Sequence, residues 1–217
     1  TVLTSRDGAL WNLEVTPESA AESILLGVGG TTNLLVAVGN RGQLLTSHNS
    51  WTNIVTQNDL GQAVINKVNT IGVVWEAVDP KPTENDLQGV VALGDTWVVT
   101  GGKGTVLTTS DGKQWIKHQA PTAGILTSVV GYEGRFVATG EDGVILTSTT
   151  GADWIAQASS TTEWLYRVRA FDEQLVAVGQ AGTILTSSDG DTWVKRESGT
   201  AEWLNDGTQV GDKGAVV

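Results

Sequence analysis

No cysteine and no methionine occur among the 217 residues, histidine occurs only twice, and 13 basic residues face 24 acidic ones. Without cysteine there is no disulfide staple and no thiol chemistry. His48 and His118 alone fall short of the three or four closely spaced ligands of a zinc site. Both are therefore expected at surface or packing positions, and no metal or other cofactor is implied. A net charge of −11 with scattered Lys and Arg opposes binding to a phosphate backbone, which needs clustered cations. No nucleic-acid partner is expected. No apolar run approaches the 18 residues of a membrane-spanning helix, and no signal peptide is visible. A chain without methionine even at its start reads as processed or trimmed.

What the chain does contain is a repeat. Leu175 to Trp193 reads as a strand, a Gly-bounded two-residue turn (Gln180, Ala181), a second strand, an Asp-Gly turn and a Trp that opens a third strand. The runs are apolar at nearly every position, which suits strands covered on both faces. Such a unit has no closed core and needs copies stacked against it. The copies are there. The Thr of the second strand recurs at Thr4, Thr46, Thr108, Thr147 and Thr186, with two intervals of 39 residues, one of 42 and one of 62. A Trp follows seven residues later at Trp11, Trp115, Trp154 and Trp193. Counting back 33 residues from Thr108 makes Trp75, not Trp51, the equivalent Trp of its repeat. Its 22 extra residues form an insertion at about 48–73, where the apolar-polar pattern of Ala63–Val68 fits either a helical turn or an extra strand.

A period near 40 with several short strands predicts an all-β fold, a β-propeller of strands a to d per blade. Trp203–Val217 aligns without gaps on Trp164–Val178, strands a and b of a further unit. Thr1–Trp11 aligns on Thr183–Trp193, its strands c and d. One blade is thus shared by residues 203–217 and 1–15. Four complete units and one shared unit predict a single five-bladed domain over residues 1–217, closed by both chain ends, with no exposed sheet edge.

The Ser/Thr-x-Asp-Gly-x-x-Trp element resembles the Asp-box of bacterial neuraminidases and many secreted propellers. The wider pattern, Val-x-Val-Gly-x-x-Gly-x-Ile/Leu-x-Thr-Ser-x-Asp-Gly, is similar to the photosystem II stability/assembly-factor-like propellers (YCF48-like repeats). The acidic position is held by Asp7, Asp111 and Asp189, and Asn49 and Thr150 replace it in the other two units. The family box usually has one more residue between Asp and Trp. The resemblance implies a non-catalytic propeller that binds a protein partner in an envelope, periplasmic or extracellular setting.

The Asp-box carboxylates read as turn staples that accept backbone N–H groups, because one isolated Asp per hairpin gives no ligand cluster. Trp11, Trp75, Trp115, Trp154 and Trp193 read as packing. Glu163, Tyr166, Arg167 and Arg169 cluster beside Trp164, and a small glycoside hydrolase would need such carboxylates or a Tyr–Glu pair with arginines. The equivalents of Arg167 are Asp206, Gln88, Ser128 and Gly27, so no arginine trio forms and no catalytic residue is assigned. The b–c turns and d–a connections are expected on one face, opposite the c–d hairpins. That face would carry Arg41, Lys103, Glu141-Asp142 and Gln180-Ala181, with Glu163-Trp164 and Glu202-Trp203 at equivalent places of adjacent blades. A shared cleft at those Glu-Trp pairs, with Tyr166 and Arg167, is the expected ligand site. A glycan is the alternative ligand, since Trp51, Trp97, Trp164 and Trp203 lie outside the repeat's core Trp.

Overall fold

The computed structural model describes residues 1–5, 7–69, 71–171, 173–210 and 213–217. Arg6, Gly211 and Asp212 of the shared unit, Thr70 of the insertion and Asp172 lie outside the described residues. Strands β1 (Val2–Thr4) and β2 (Asn12–Glu14) pair as a hairpin. The first complete blade takes β3 (Leu25–Gly30), β4 (Leu34–Gly39) and β5 (Leu44–His48). Between β5 and its last strand stands a separate hairpin, β6 (Trp51–Gln57) and β7 (Ala63–Asn69), and the short β8 (Glu76–Ala77) then completes the sheet 3-4-5-8. The insertion is therefore an extra pair of strands rather than a helical turn.

Three further antiparallel four-stranded sheets follow. They are β9 (Leu87–Leu93) to β12 (Ile116–Gln119), β13 (Leu126–Tyr132) to β16 (Ile155–Gln157), and β17 (Leu165–Ala170) to β20 (Val194–Arg196). A last hairpin joins β21 (Gly207–Val210) to β22 (Lys213–Val216). The fold is an all-β propeller.

The core lies between the sheets, not within any one of them. Val98 and Val106 of the second blade pack with Leu126, Leu146 and Trp154 of the third. Val137 and Ile145 of the third pack with Leu165, Leu185 and Trp193 of the fourth. Adjacent residues of one c strand thus face opposite neighbours, so the middle strands are apolar at consecutive positions and mostly buried. Truncating one of these Trp residues to Ala is expected to cost about 3–5 kcal/mol.

The two terminal hairpins are built as half-blades. Pairs Val2↔Glu14 to Thr4↔Asn12 repeat the register Ile184↔Arg196 to Thr186↔Val194 of the fourth blade. Pairs Gly207↔Val216 to Gln209↔Gly214 repeat Val168↔Ala177 to Ala170↔Leu175. Val2 packs on the first blade with Ala37, Leu45 and Trp75. The other hairpin is stitched to the fourth blade by the Leu204 N–H donating to the Gly179 carbonyl (3.0 Å). The ladder expected between residues 1–5 and 213–217 is not formed in this structure, where β1 pairs with β2 and β22 with β21. Apolar positions along the unjoined seam stay open as a result. Leu3 is 53% exposed whereas Leu45, Leu107, Leu146 and Leu185 are all 0%.

Candidate functional site

Each blade turns from strand b to strand c through three residues: Asn40–Gly42, Gly102–Gly104, Glu141–Gly143 and Gln180–Gly182. The glycine before each turn is extended, and a Cβ at Gly179 would collide with the Trp164 carbonyl. The glycine closing each turn has positive φ (+66° at Gly182), and a Cβ there would collide with the Thr200 carbonyl in the connection to the next blade. The same collision recurs at Gly42 with Thr83, Gly104 with Thr122 and Gly143 with Thr161. The Gly-x-x-Gly signature thus lets every b–c turn lie against the following d–a connection, and both sit on one face.

The middle residue of each turn is left-handed: Arg41 (φ 52°), Lys103 (φ 55°), Asp142 (φ 57°) and Ala181 (φ 51°). Arg41 and Lys103 are exposed. The Arg41 backbone is clamped, its N–H donating to Asp86 Oδ1 (2.8 Å) and its carbonyl accepting from Lys81 Nζ (2.9 Å). Gln119 Nε2 donates to the Lys103 carbonyl (2.9 Å). These two cations belong to the first and second blades. No hydrogen bond or ion pair joins them to the Glu-Trp pairs among the described residues.

The Glu-Trp pairs themselves are brought together. Trp164 and Tyr166 have ring centroids 5.5 Å apart, and Tyr166 and Trp203 5.9 Å. Three tilted rings therefore run as one strip across the junction between the fourth blade and the last half-blade, within the usual range for aromatic pairs. Trp203 is 62% exposed. Gln180 holds the middle of the strip, its Nε2 donating to Tyr166 Oη (3.1 Å) and its Oε1 accepting from the Trp164 N–H (3.5 Å). The same turn position supplies an acceptor to the start of strand a through Asn40 and Glu141. The amide N–H groups of Glu163 and Glu202 are capped by Thr161 and Thr200 hydroxyls (both 3.1 Å). Glu163 is half-buried and Glu202 exposed.

Beside the strip, Asp206 accepts two bonds from Arg169 (2.8 and 2.6 Å) and lies 3.8 Å from Arg167 Nε. The Arg169 guanidinium holds the Asp206 carboxyl below its usual value. Trp164 Nε1 and Arg167 Nε are buried without a hydrogen-bond partner. Asp206, the equivalent of Arg167 one blade on, was visible in sequence only as a missing arginine. Its role as the arginine's neighbour needs the blade stacking. Gln180 likewise stood only as a turn residue. Its repeat of the Asn40 and Glu141 pattern was the available signal.

On the opposite face, Asp189 Oδ1 accepts from the Asp191 and Thr192 amides (2.9 and 2.8 Å), and Ser187 Oγ from Gly190 (2.8 Å). Asp7 and Asp111 bond the equivalent amides. Backbone N–H donors hold all three carboxyls below their ordinary value. Thr150 makes the same contacts with its hydroxyl (3.2 Å). The indoles of Trp11, Trp75, Trp115, Trp154 and Trp193 each donate to the carbonyl of the glycine three residues earlier. His118 Nε2 lies 2.8 Å from the Thr108 hydroxyl. Among the described residues no group of three or more His, Cys, Asp or Glu side chains is placed to hold a metal ion.

Among solved structures, YCF48 bound to D1 peptide is similar over 85% of this chain, with a TM-score of 0.60 and 15% identity. The WD40 propeller domain of Doa1 is similar over 88% (TM-score 0.57, 14% identity), as is the computationally designed Ika8 protein (TM-score 0.57, 10% identity). The chain spans 56% of the YCF48 chain, 60% of the Doa1 domain and 67% of Ika8. At these identities the likeness concerns the fold. No curated protein sequence matches. Residues 72–205, more than half the chain, match the DUF6242 β-propeller domain. The chain therefore belongs to the DUF6242 β-propeller domain family.

Proposed function

We propose that this protein is a non-catalytic binding propeller that takes a segment of a protein partner on the b–c turn face, over Trp164, Tyr166 and Trp203. The observation that carries the reading is the three-ring strip, continuous across a blade junction and flanked by Glu163 and Glu202. Aromatic rings supply contact area at low entropy cost, and carboxylates at the rim select basic groups. The partner segment therefore combines apolar and basic side chains, in keeping with a binding surface on a chain of net charge −11. A protein ligand also fits the likeness to a YCF48 structure that holds a peptide. The envelope or extracellular setting belongs to the same proposal and rests on the Asp-box pattern.

A glycan is the second reading. It is favoured by the pairing of exposed indole with carboxylate, since ring faces stack on sugars while carboxylates take hydroxyls. Capture from the native extract separates the two. Wild-type protein should retain a protein that the Trp164→Ile/Trp203→Ile double variant loses, and elution by free sugar would favour the glycan.

The proposal includes a five-bladed ring in which β1 and β22 are partners. It is supported by the blade register of both terminal hairpins and by seam residues whose equivalents elsewhere are buried. Trp11 is 60% exposed against 5% for Trp75 and 6% for Trp193, and Val28 is 72% exposed against 0% for Val168.

A further inference from the structure

Among the described residues, the outer sheet edges are short or charged, with one exception. The last strand of each sheet or half-blade carries Glu14 (β2), Glu76 (β8), Lys117 (β12), or Lys195 and Arg196 (β20), and the uncharged β16 has three residues. Short, charged edges resist pairing with other chains. Strand β6 does the opposite. It runs seven residues, Trp-Thr-Asn-Ile-Val-Thr-Gln, without a charge, a proline or a glycine, and it pairs only with β7.

The β6–β7 hairpin is joined by seven cross-strand pairs and belongs to no larger sheet. A lone two-stranded hairpin is marginal in water and is stabilised by further strands. Its described apolar side chains are open to solvent. The cross-strand pair Val55 and Ile65 is 65% and 68% exposed, and Leu60 at the turn is 81% exposed. From Trp51 to Asn69 the only charged residues are Asp59 and Lys67, so the hairpin is neutral in a chain of net charge −11.

We infer that the β6 edge is a self-association surface, where two copies pair β6 with β6 in antiparallel fashion to build a four-stranded sheet. Neutrality selects a second copy as the occupant. Like-charged molecules repel over most of their surfaces, and this hairpin is a net-neutral projection with an uncharged β6 edge on which they can meet. An antiparallel pairing centred on residue 54 is isologous, setting residue 53 of one copy opposite 55 of the other. The hairpin leaves the blade at the c–d turn, on the face opposite the aromatic strip, so the dimer keeps both binding faces free. Two linked sites raise avidity for a multivalent partner without new contacts.

The test uses sedimentation equilibrium on the full chain, from low- to high-micromolar concentration. Wild-type protein should show a reversible monomer–dimer equilibrium. Asn53→Lys/Val55→Lys sets Lys against Lys twice across the symmetric edge and should weaken the dimer at least about tenfold, since like charges directly opposite destabilise a ladder. Asn53→Glu/Val55→Glu should do the same alone. Mixing the two variants should restore a heterodimer, an outcome that damage to the hairpin could not produce. A wild-type protein that stays monomeric overturns the inference, as does a dimer indifferent to both variants. Weakening in both variants without restoration on mixing also overturns it.

Discussion

Single side chains in the c–d turns carry charge that folding favours. Asp7, Asp111 and Asp189 titrate below their usual value of 3.8 because backbone N–H groups bind the charged form. With folded values below the unfolded one, their contribution is complete above about pH 4 and is lost as pH falls through the folded values. Asp189→Asn keeps an acceptor for the same amides and removes the titration. Its stability is expected to fall less steeply than wild type between about pH 5 and pH 2, followed by tryptophan fluorescence. An unchanged acid slope would show that this carboxylate is not among the groups responsible. Much at this scale was legible beforehand. A Ser/Thr two residues before Asp, with Gly next and Trp further on, names its own hydrogen bonds. The partner of Asp206 was not legible, because Arg169 lies across a blade junction that no local spacing describes.

Among the elements, strands b and c were readable because burial on both faces makes them apolar at consecutive positions. The insertion was not, since the apolar-polar pattern of six residues, Ala63 to Val68, satisfies a helical turn and a strand equally well. The structure places it as a hairpin grafted between Ser47 and Gly72, where the Gly72 N–H still reaches Ser47 Oγ (2.8 Å) and the Trp75 indole still reaches the Gly72 carbonyl (2.8 Å). The blade's own turn therefore persists around the graft. Replacing residues 48–71 by Ser-Asp rebuilds an uninterrupted Ser-Ser-Asp-Gly turn and should leave the melting temperature within a few degrees, because loop length enters stability only logarithmically. A collapse of cooperative unfolding in calorimetry would make the hairpin part of the core.

The whole molecule turns on two relations. One is the seam. In the fourth blade Ala177 stands opposite Leu185, and the equivalent pair across the seam is Val216 and Leu3. Strand neighbours lie about 4.5–5.5 Å apart at Cα, within reach of a disulfide. Since the chain has no cysteine of its own, Leu3→Cys/Val216→Cys has a single possible bridge within one molecule. It should form in the monomer under mild oxidation and raise the melting temperature. Free thiols in the folded, oxidised protein, or a bridge found only between two chains, would contradict closure.

The other relation is between the strip and a ligand, which is the core of the functional account. The most direct measurement is binding of labelled wild-type protein and of Trp164→Ile/Trp203→Ile to parallel arrays of peptides and glycans, after circular dichroism has shown both to be folded. Wild-type protein should bind peptides that combine apolar and basic residues, with binding lost in the double variant and weakened by Glu163→Gln/Glu202→Gln. Peptide binding that survives loss of both indoles, or binding confined to glycans, would contradict it.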